Sequence, residues 1–191
     1  MANVDRGNGA KPVRHLSGAP WNGKVTRCYV PSTDATALFV GDFVKSAGSS
    51  DANGVPTVTQ AAAGNTLRGV VVSIEPNPDN LGQLYRAAST SQYVYICDDP
   101  SVIFEIQEDG VGGAMAATNV GNNGDIVVGS GSTTSGASGM LLDSSDVIAT
   151  TTSTAQLRVM RLVQRPDNAI GTSAKWEVLI NEHEFKTTTG S

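Results

Sequence analysis

Past residue 35 the apolar residues of this chain fall in short runs, most of them closed by Gly, Pro, Asn or Asp. In the segment 102–107, Val102, Phe104 and Ile106 take one face of an extended chain while Glu105 and Gln107 take the other, which is the alternation of a half-buried strand. Trp176, Val178 and Ile180 repeat that pattern near the end of the sequence, after a Pro166-Asp167-Asn168 turn that separates them from the strand-like "QLRVMRLVQ". The run "LRGVVVSIEPNPDN" is different. Its consecutive valines predict a strand buried on both faces, stopped by Pro76 and Pro78. With "TALFVGDFVK" and "VPTVTQA", joined through the turn-prone Asn53-Gly54, it reads as a β-meander. No window places apolar residues at i, i+3, i+4 and i+7 over ten or more positions, so helix is limited to a turn or two.

The pattern predicts an all-β chain with little helix. Two stretches fall outside it. Residues 1–27 have almost no apolar periodicity and are punctuated by Gly7, Gly9, Pro12, Gly18, Pro20 and Gly23, which block helix and favour extended backbone. They are read as an extended N-terminal arm, and 28–191 as the body. Residues 111–153 are dominated by Gly, Ser, Thr, Asn and Ala, with one short apolar strand at Ile126–Val128 and another at "GMLLDSS". They are expected to form exposed loops. The likeness of "LRGVVVSIEPNPDN" to "LRVMRLVQRPDN" is read as reuse of good strand and turn chemistry rather than a duplicated hairpin.

Charge sharpens the division between arm and body. The arm holds Arg6, Lys11, Arg14, Lys24 and Arg27 against Asp5 alone, so on a chain of net charge −5 everything after residue 27 totals −9. A basic arm on an acidic body implies attachment to something negative. Nucleic acid is disfavoured as that partner, because the cations are widely spaced, Trp21 is the arm's only aromatic residue and the body repels phosphate. Aromatic residues make up only 5% of the chain, so the core must rest on Val, Ile, Leu and Ala. No run approaches the roughly 18 apolar residues of a membrane helix. The N-terminus also lacks the apolar centre of a secretion signal. Synthesis in the cytoplasm, without membrane attachment, is therefore expected.

Catalytic and metal signatures are sparse. "GSGSTTSGASG" has no lysine and no following helix, so a nucleotide cradle would lack its charge. No Gly-x-Ser-x-Gly elbow occurs. The two histidines, His15 and His183, limit acid/base and zinc chemistry. Asp98-Asp99 and Glu108-Asp109 precede Pro and Gly and read as solvated acids at strand ends, while "SSDANG" offers a calcium ion only Asp51 and Asn53. Cys28 and Cys97 read as buried free thiols, with a disulfide between them as the alternative. The expectation is a chain with no catalytic residues, no metal and no cofactor.

The segment "LFVGDFVK…ANGVPTVTQAAAGNTLRGVVV" resembles the core of tailed-phage head decoration proteins, in which an apolar-Gly-Asp-apolar turn leads through a strand and a small-residue turn to a Gly-Val-Val strand. The opening "NVDRGNGAKPVRHLSGAPWNG" and the closing "LVQRPDNAIG…KWEVLINEHEF" are similar in texture to tailed-phage structural proteins. The resemblance implies a single β-barrel, β-tulip-like or sandwich domain, and a virion protein on the outer surface of an icosahedral head. It also implies homotrimers and an arm that contacts major capsid protein subunits. The capsid-binding candidates are then Arg6, Lys11 and Arg14, meeting acidic patches, and Trp21, anchoring its indole in a pocket. The arm could add a strand to a capsid sheet edge, and removal of residues 2–24 is expected to leave a folded body. Another virion component of tail, neck or receptor-binding type, and a carbohydrate-binding β-domain, are the alternatives.

Overall fold

The computed structural model describes residues 3–149 and 154–186, and the chain is all-β. In chain order the strands are β1 (Lys11–His15), β2 (Thr26–Val30), β3 (Phe43–Ser50), β4 (Pro56–Gln60), β5 (Gly69–Ile74), β6 (Gln92–Cys97) and β7 (Val102–Gln107). They continue with β8 (Asn123–Gly124), β9 (Ile126–Val127), β10 (Leu141–Leu142), the helix α1 (Ser144–Ala149), β11 (Leu157–Leu162) and β12 (Lys175–Ile180). Strands β2 to β6 close a barrel in the order β2-β4-β3-β5-β6, and a second sheet runs β1-β7-β12-β11-β8.

Alternation along the barrel strands explains how these two layers meet. Val44, Val71 and Ile96 point into the barrel with Cys28, Val30, Val58 and Val94, whereas their neighbours Phe43, Val70 and Cys97 point out of it. Those outward residues pack on Val102, Phe104 and Ile106 of β7 and on Trp176, Val178 and Ile180 of β12. The valine run of β5 is indeed buried on both faces at Val70 and Val71, because one face fills the barrel and the other fills the interlayer. The two cysteines are buried and free.

The β-meander expected of β3, β4 and β5 is not the observed order. The Asp51–Gly54 turn folds β4 back onto β3 as predicted, with Asp51 Oδ1 accepting the amides of Asn53 and Val55. The far edge of β4 is taken by β2, so the chain crosses to the other side of β3 before starting β5. Fully buried Arg86 ties the loops at this end of the barrel, donating to the carbonyls of Pro31, Asp34, Thr36 and Thr90. Two of these carbonyls, those of Pro31 and Asp34, also accept the backbone amides of Asp34 and Ser89, so the guanidinium completes a hydrogen-bonded loop cluster.

The N-terminal segment is part of the body rather than an arm. β1 forms one edge of the second sheet, paired antiparallel with β7 from Lys11 opposite Glu105 to His15 opposite Val102. Upstream, the Asn3 side chain bonds the backbone of Ala169, Gly171 and Thr172, and the Arg6 amide donates to Gln107 Oε1. Gly9 crosses Gly41 so closely that a Cβ on Gly9 would lie 2.4 Å from the Gly41 carbonyl oxygen. The glycine that breaks periodicity here permits a backbone crossing, and Ala10 next to it is buried in the interlayer core. The strand predicted as a donor to a capsid sheet pairs instead with this chain's own β7. Its outer edge is also covered, since His15 and Trp21 exchange backbone bonds across the 16–20 turn with Ala19 and Val13.

The described residues of 111–153 are exposed loop only in part: 111–114 and 132–135 are exposed and the two short strands expected there are β9 and β10, but the region also reaches the core. Met115, Ile126, Met140, Leu142 and Val147 fill the interlayer. Here too glycine marks contact: a Cβ on Gly131 would sit 2.3 Å from the Phe39 ring. Residues 150–153 lie outside the described residues. Helix among the described residues is limited to α1, whose first amides are accepted by Asp143, and to 3-10 turns at Ala117–Asn119 and Glu184–Lys186.

Candidate functional site

The outward face of the second sheet gathers most of the chain's organised charge. Alternation turns Glu105 of β7 and Glu177 of β12 away from the interlayer, and the register sets them directly opposite each other. Two like charges so placed repel. Four cations resolve the conflict. Arg14 and Arg161 hold Glu177 at 2.7–2.9 Å, and Arg165 grips Glu105 with both nitrogens at 2.9 and 3.0 Å, with Lys175 Nζ 3.9 Å away. Burial pushes the Glu177 carboxyl up, but the two guanidiniums outweigh it and leave its pKa below the ordinary glutamate value. Arg14 thereby reaches from β1 across β7 to β12 and rivets the N-terminal strand to its sheet.

Beside this network runs a groove. One wall is the N-terminal strap, with Val4, Arg6, Asn8 and Lys11; the other is the 165–175 segment; Glu105 and Gln107 lie between them. The cleft at its wider end encloses about 200 Å³. Both walls are fixed. Asn168 donates to the carbonyls of Val163 and Lys175 and accepts the Lys175 amide, while Asn3 clips the 169–172 backbone. Four cations line the groove, Arg6, Lys11, Arg165 and Lys175, against the carboxylates of Glu105 and Asp167. The exposed side chains of Arg6 and Lys11 have no ion-pair partner among the described residues.

The four candidate contact residues therefore separate. Arg6 and Lys11 come together on the groove with their charges available. Arg14 is committed to Glu177 inside the molecule. Trp21 is half-buried and packs on this chain's own interlayer core, against Cys97, so its indole is not a projecting anchor. Arg27, the last cation of the presumed arm, lies over the Tyr93 ring at 3.5 Å and bonds Glu75 on the barrel surface. Arg165 and Lys175 carry little signal in the sequence: Arg165 directly precedes the Pro166-Asp167-Asn168 turn, but Lys175 follows it seven residues later at the start of β12.

Other polar clusters are already engaged. His15, Ser101 and Asp99 meet near the end of β1, but His15 reaches both Ser101 Oγ and Asp99 Oδ2 through Nδ1, each at 3.5 Å, and Ser101 Oγ donates to Asp99 at 2.6 Å. A proton relay needs one ring nitrogen for each partner, so this arrangement does not activate the serine. Burial raises the thiols of Cys28 and Cys97 to about 11, which keeps them protonated at neutral pH. A depression of about 310 Å³ on the barrel is lined by Ser46, Ser49, Ser50, Thr57 and Arg68, yet Ser46 is bonded to Glu184 and Ser49 to Thr57.

Glu108 departs from the solvated setting expected of it, and Asp42 and His183 are buried as well. Glu108 is fully buried beside Trp176, accepts the Met115 amide and has its pKa raised by burial, because the strand end it marks is covered by the 111–116 segment. Asp42, in the Gly-Asp turn of the quoted motif, is likewise buried and takes the Phe39 amide and the Gln60 side chain. His183 is buried on Phe185, and burial, aided by Lys186, lowers its pKa to about 4.

Compared with known proteins, the chain matches no family model, no curated protein and no solved structure. The likeness to head decoration proteins rests on the quoted segments alone.

Proposed function

We propose that this chain is a non-catalytic virion structural protein, a decoration or cement subunit that binds the outside of an icosahedral phage head and stabilises contacts between major capsid subunits. The observation that carries the reading beyond the sequence resemblance is the pair of open cations, Arg6 and Lys11, on a rigid face of an otherwise acidic molecule. They supply a surface for a negatively charged partner without a flexible arm. A subunit that binds only the assembled lattice shifts the assembly equilibrium toward it by mass action. In this reading the grip is a preformed face of the sheet, and three copies assemble at each site. Whole protein added to undecorated heads is expected to sediment with them, and immunogold label to decorate heads of intact particles. Label confined to tails would transfer the protein to the tail or receptor-binding class, and absence from particles would end the reading.

A further inference from the structure

We propose that the groove between the N-terminal strap and the 165–175 segment binds a short, extended, carboxylate-rich segment of a partner protein. The inference deepens the reading above, since it names what the partner presents to this face.

The argument starts from charge that the fold leaves over. Glu105 engages Arg165 and Lys175, and Glu177 engages Arg14 and Arg161, so the sheet's own acids are matched without Arg6 or Lys11. Asp5, the acid nearest to Arg6 in sequence, accepts a hydrogen bond from Gln107 Nε2. The two open cations therefore flank the groove without an ion-pair partner among the described residues. An arginine fork receives a carboxylate through two parallel bonds, and a lysine ammonium adds a point charge. Val4, 65% exposed on the same wall, offers the aliphatic contact that a peptide side chain uses and a bare ion does not.

Preorganisation supports a ligand of this size. The walls are held by the Asn3 and Asn168 bonds, so little ordering entropy remains to be lost on binding. Length and charge choose peptide over nucleic acid. The groove's surplus is small, four cations against two carboxylates, and the rest of the chain is strongly acidic. A phosphate backbone running past the groove meets that negative surface, whereas a segment with two or three carboxylates ends with the cations.

The test is fluorescence anisotropy of the full chain with labelled hexaglutamate, hexaglutamine and oligothymidylate at low and at 0.3 M salt. Hexaglutamate is expected to bind in a salt-sensitive manner and hexaglutamine not to bind. Arg6→Glu and Lys11→Glu should each weaken hexaglutamate about tenfold. Lys24→Glu makes the same charge change away from the groove and is expected to leave binding intact. Equal binding of hexaglutamate and hexaglutamine, or equal loss in all three variants, overturns the inference. Tighter oligothymidylate binding, lost in the same two variants, overturns the choice of occupant. Sedimentation with heads separates the two levels. If hexaglutamate behaves as expected and heads do not bind, the groove stands and the capsid reading falls. If heads bind Arg6→Glu and Lys11→Glu as well as the unaltered chain, the groove falls and the capsid reading stands.

Discussion

The barrel interior and the layer between barrel and second sheet are two cores built from different material. Inside the barrel lie Cys28, Val30, Leu38, Val44, Val58, Val71, Val94 and Ile96, with no aromatic ring among them. The interlayer holds Trp176, Phe43, Phe104, Met115 and Met140. A barrel of only five strands has a narrow lumen, which small branched side chains fill and rings do not. The interlayer is wider and must accommodate contributions from both ends of the chain. The barrel is thus closed by strands that follow one another in sequence from 26 to 97, whereas the interlayer depends on the N-terminal strap, on 115–147 and on β11 and β12. The comparison teaches that the proposed binding groove sits on the half of the molecule assembled from distant pieces.

The most damaging way to break this comparison is to remove residues 3–15. That deletion takes away β1, exposes the β7 edge, opens the interlayer at Ala10 and leaves Glu177 without Arg14. The truncated chain is expected to show no cooperative urea transition in tryptophan fluorescence; a sharp transition would restore the reading of the segment as an independent arm. Next in size is Trp176→Ala, which empties the largest fully buried side chain and is expected to cost about 3–5 kcal/mol by urea denaturation. A loss under 1 kcal/mol would show that the interlayer is not the principal joint.

Acid acts on the same joint through His183. Its folded pKa of about 4 lies below the ordinary 6.5, so between those values the unfolded chain binds a proton that the folded chain refuses. Stability is therefore full above pH 6.5 and falls as pH drops toward 4, by at most about 1.4 kcal/mol per pH unit. Glu108 and Asp42, whose pKa values burial raises, act in the opposite sense and soften the fall. His183→Gln is expected to flatten the thermal-melt profile across this window, and an unchanged slope would assign the acid response elsewhere. The smallest effect sharpens the contrast between the cores. Ile96→Val in the barrel should cost about 1.5 kcal/mol and Ile106→Val in the interlayer about 0.5 kcal/mol, because flexible methionines can close a methyl-sized gap where barrel strands cannot. Equal costs by chemical denaturation would mean that both cores are equally stiff.

Much of the fold was legible because strand alternation is a local property. The inward faces of β7 and β12, the doubly buried valines of β5 and the turn at Asn53-Gly54 all follow from residues a few positions apart. The strap was misread because a segment that joins a sheet by its edge and crosses backbone on backbone needs glycine and little periodicity, the same marks as a loose tail. The core contacts of the 111–149 region are hidden for a related reason: small residues that allow close packing look like small residues that allow freedom, although its two short strands at Ile126 and Leu141 are legible. Of the candidate site, Arg6 and Lys11 were found through charge alone, while Arg165 and Lys175 enter only when β12 is laid beside β7.

By itself the sequence determined the all-β class, the positions of most strands, the acidic body with cations concentrated near its start, and the shortage of residues suited to metal or acid/base chemistry. Tertiary structure alone decided which strand neighbours which, that the leading residues complete a sheet instead of leaving it, and that Arg14 and Trp21 are consumed internally while Arg6 and Lys11 stay open. The physical reason is that strand propensity and charge are carried by each residue, but pairing partners and the matching of one charge by another depend on contacts between residues as far as 169 positions apart.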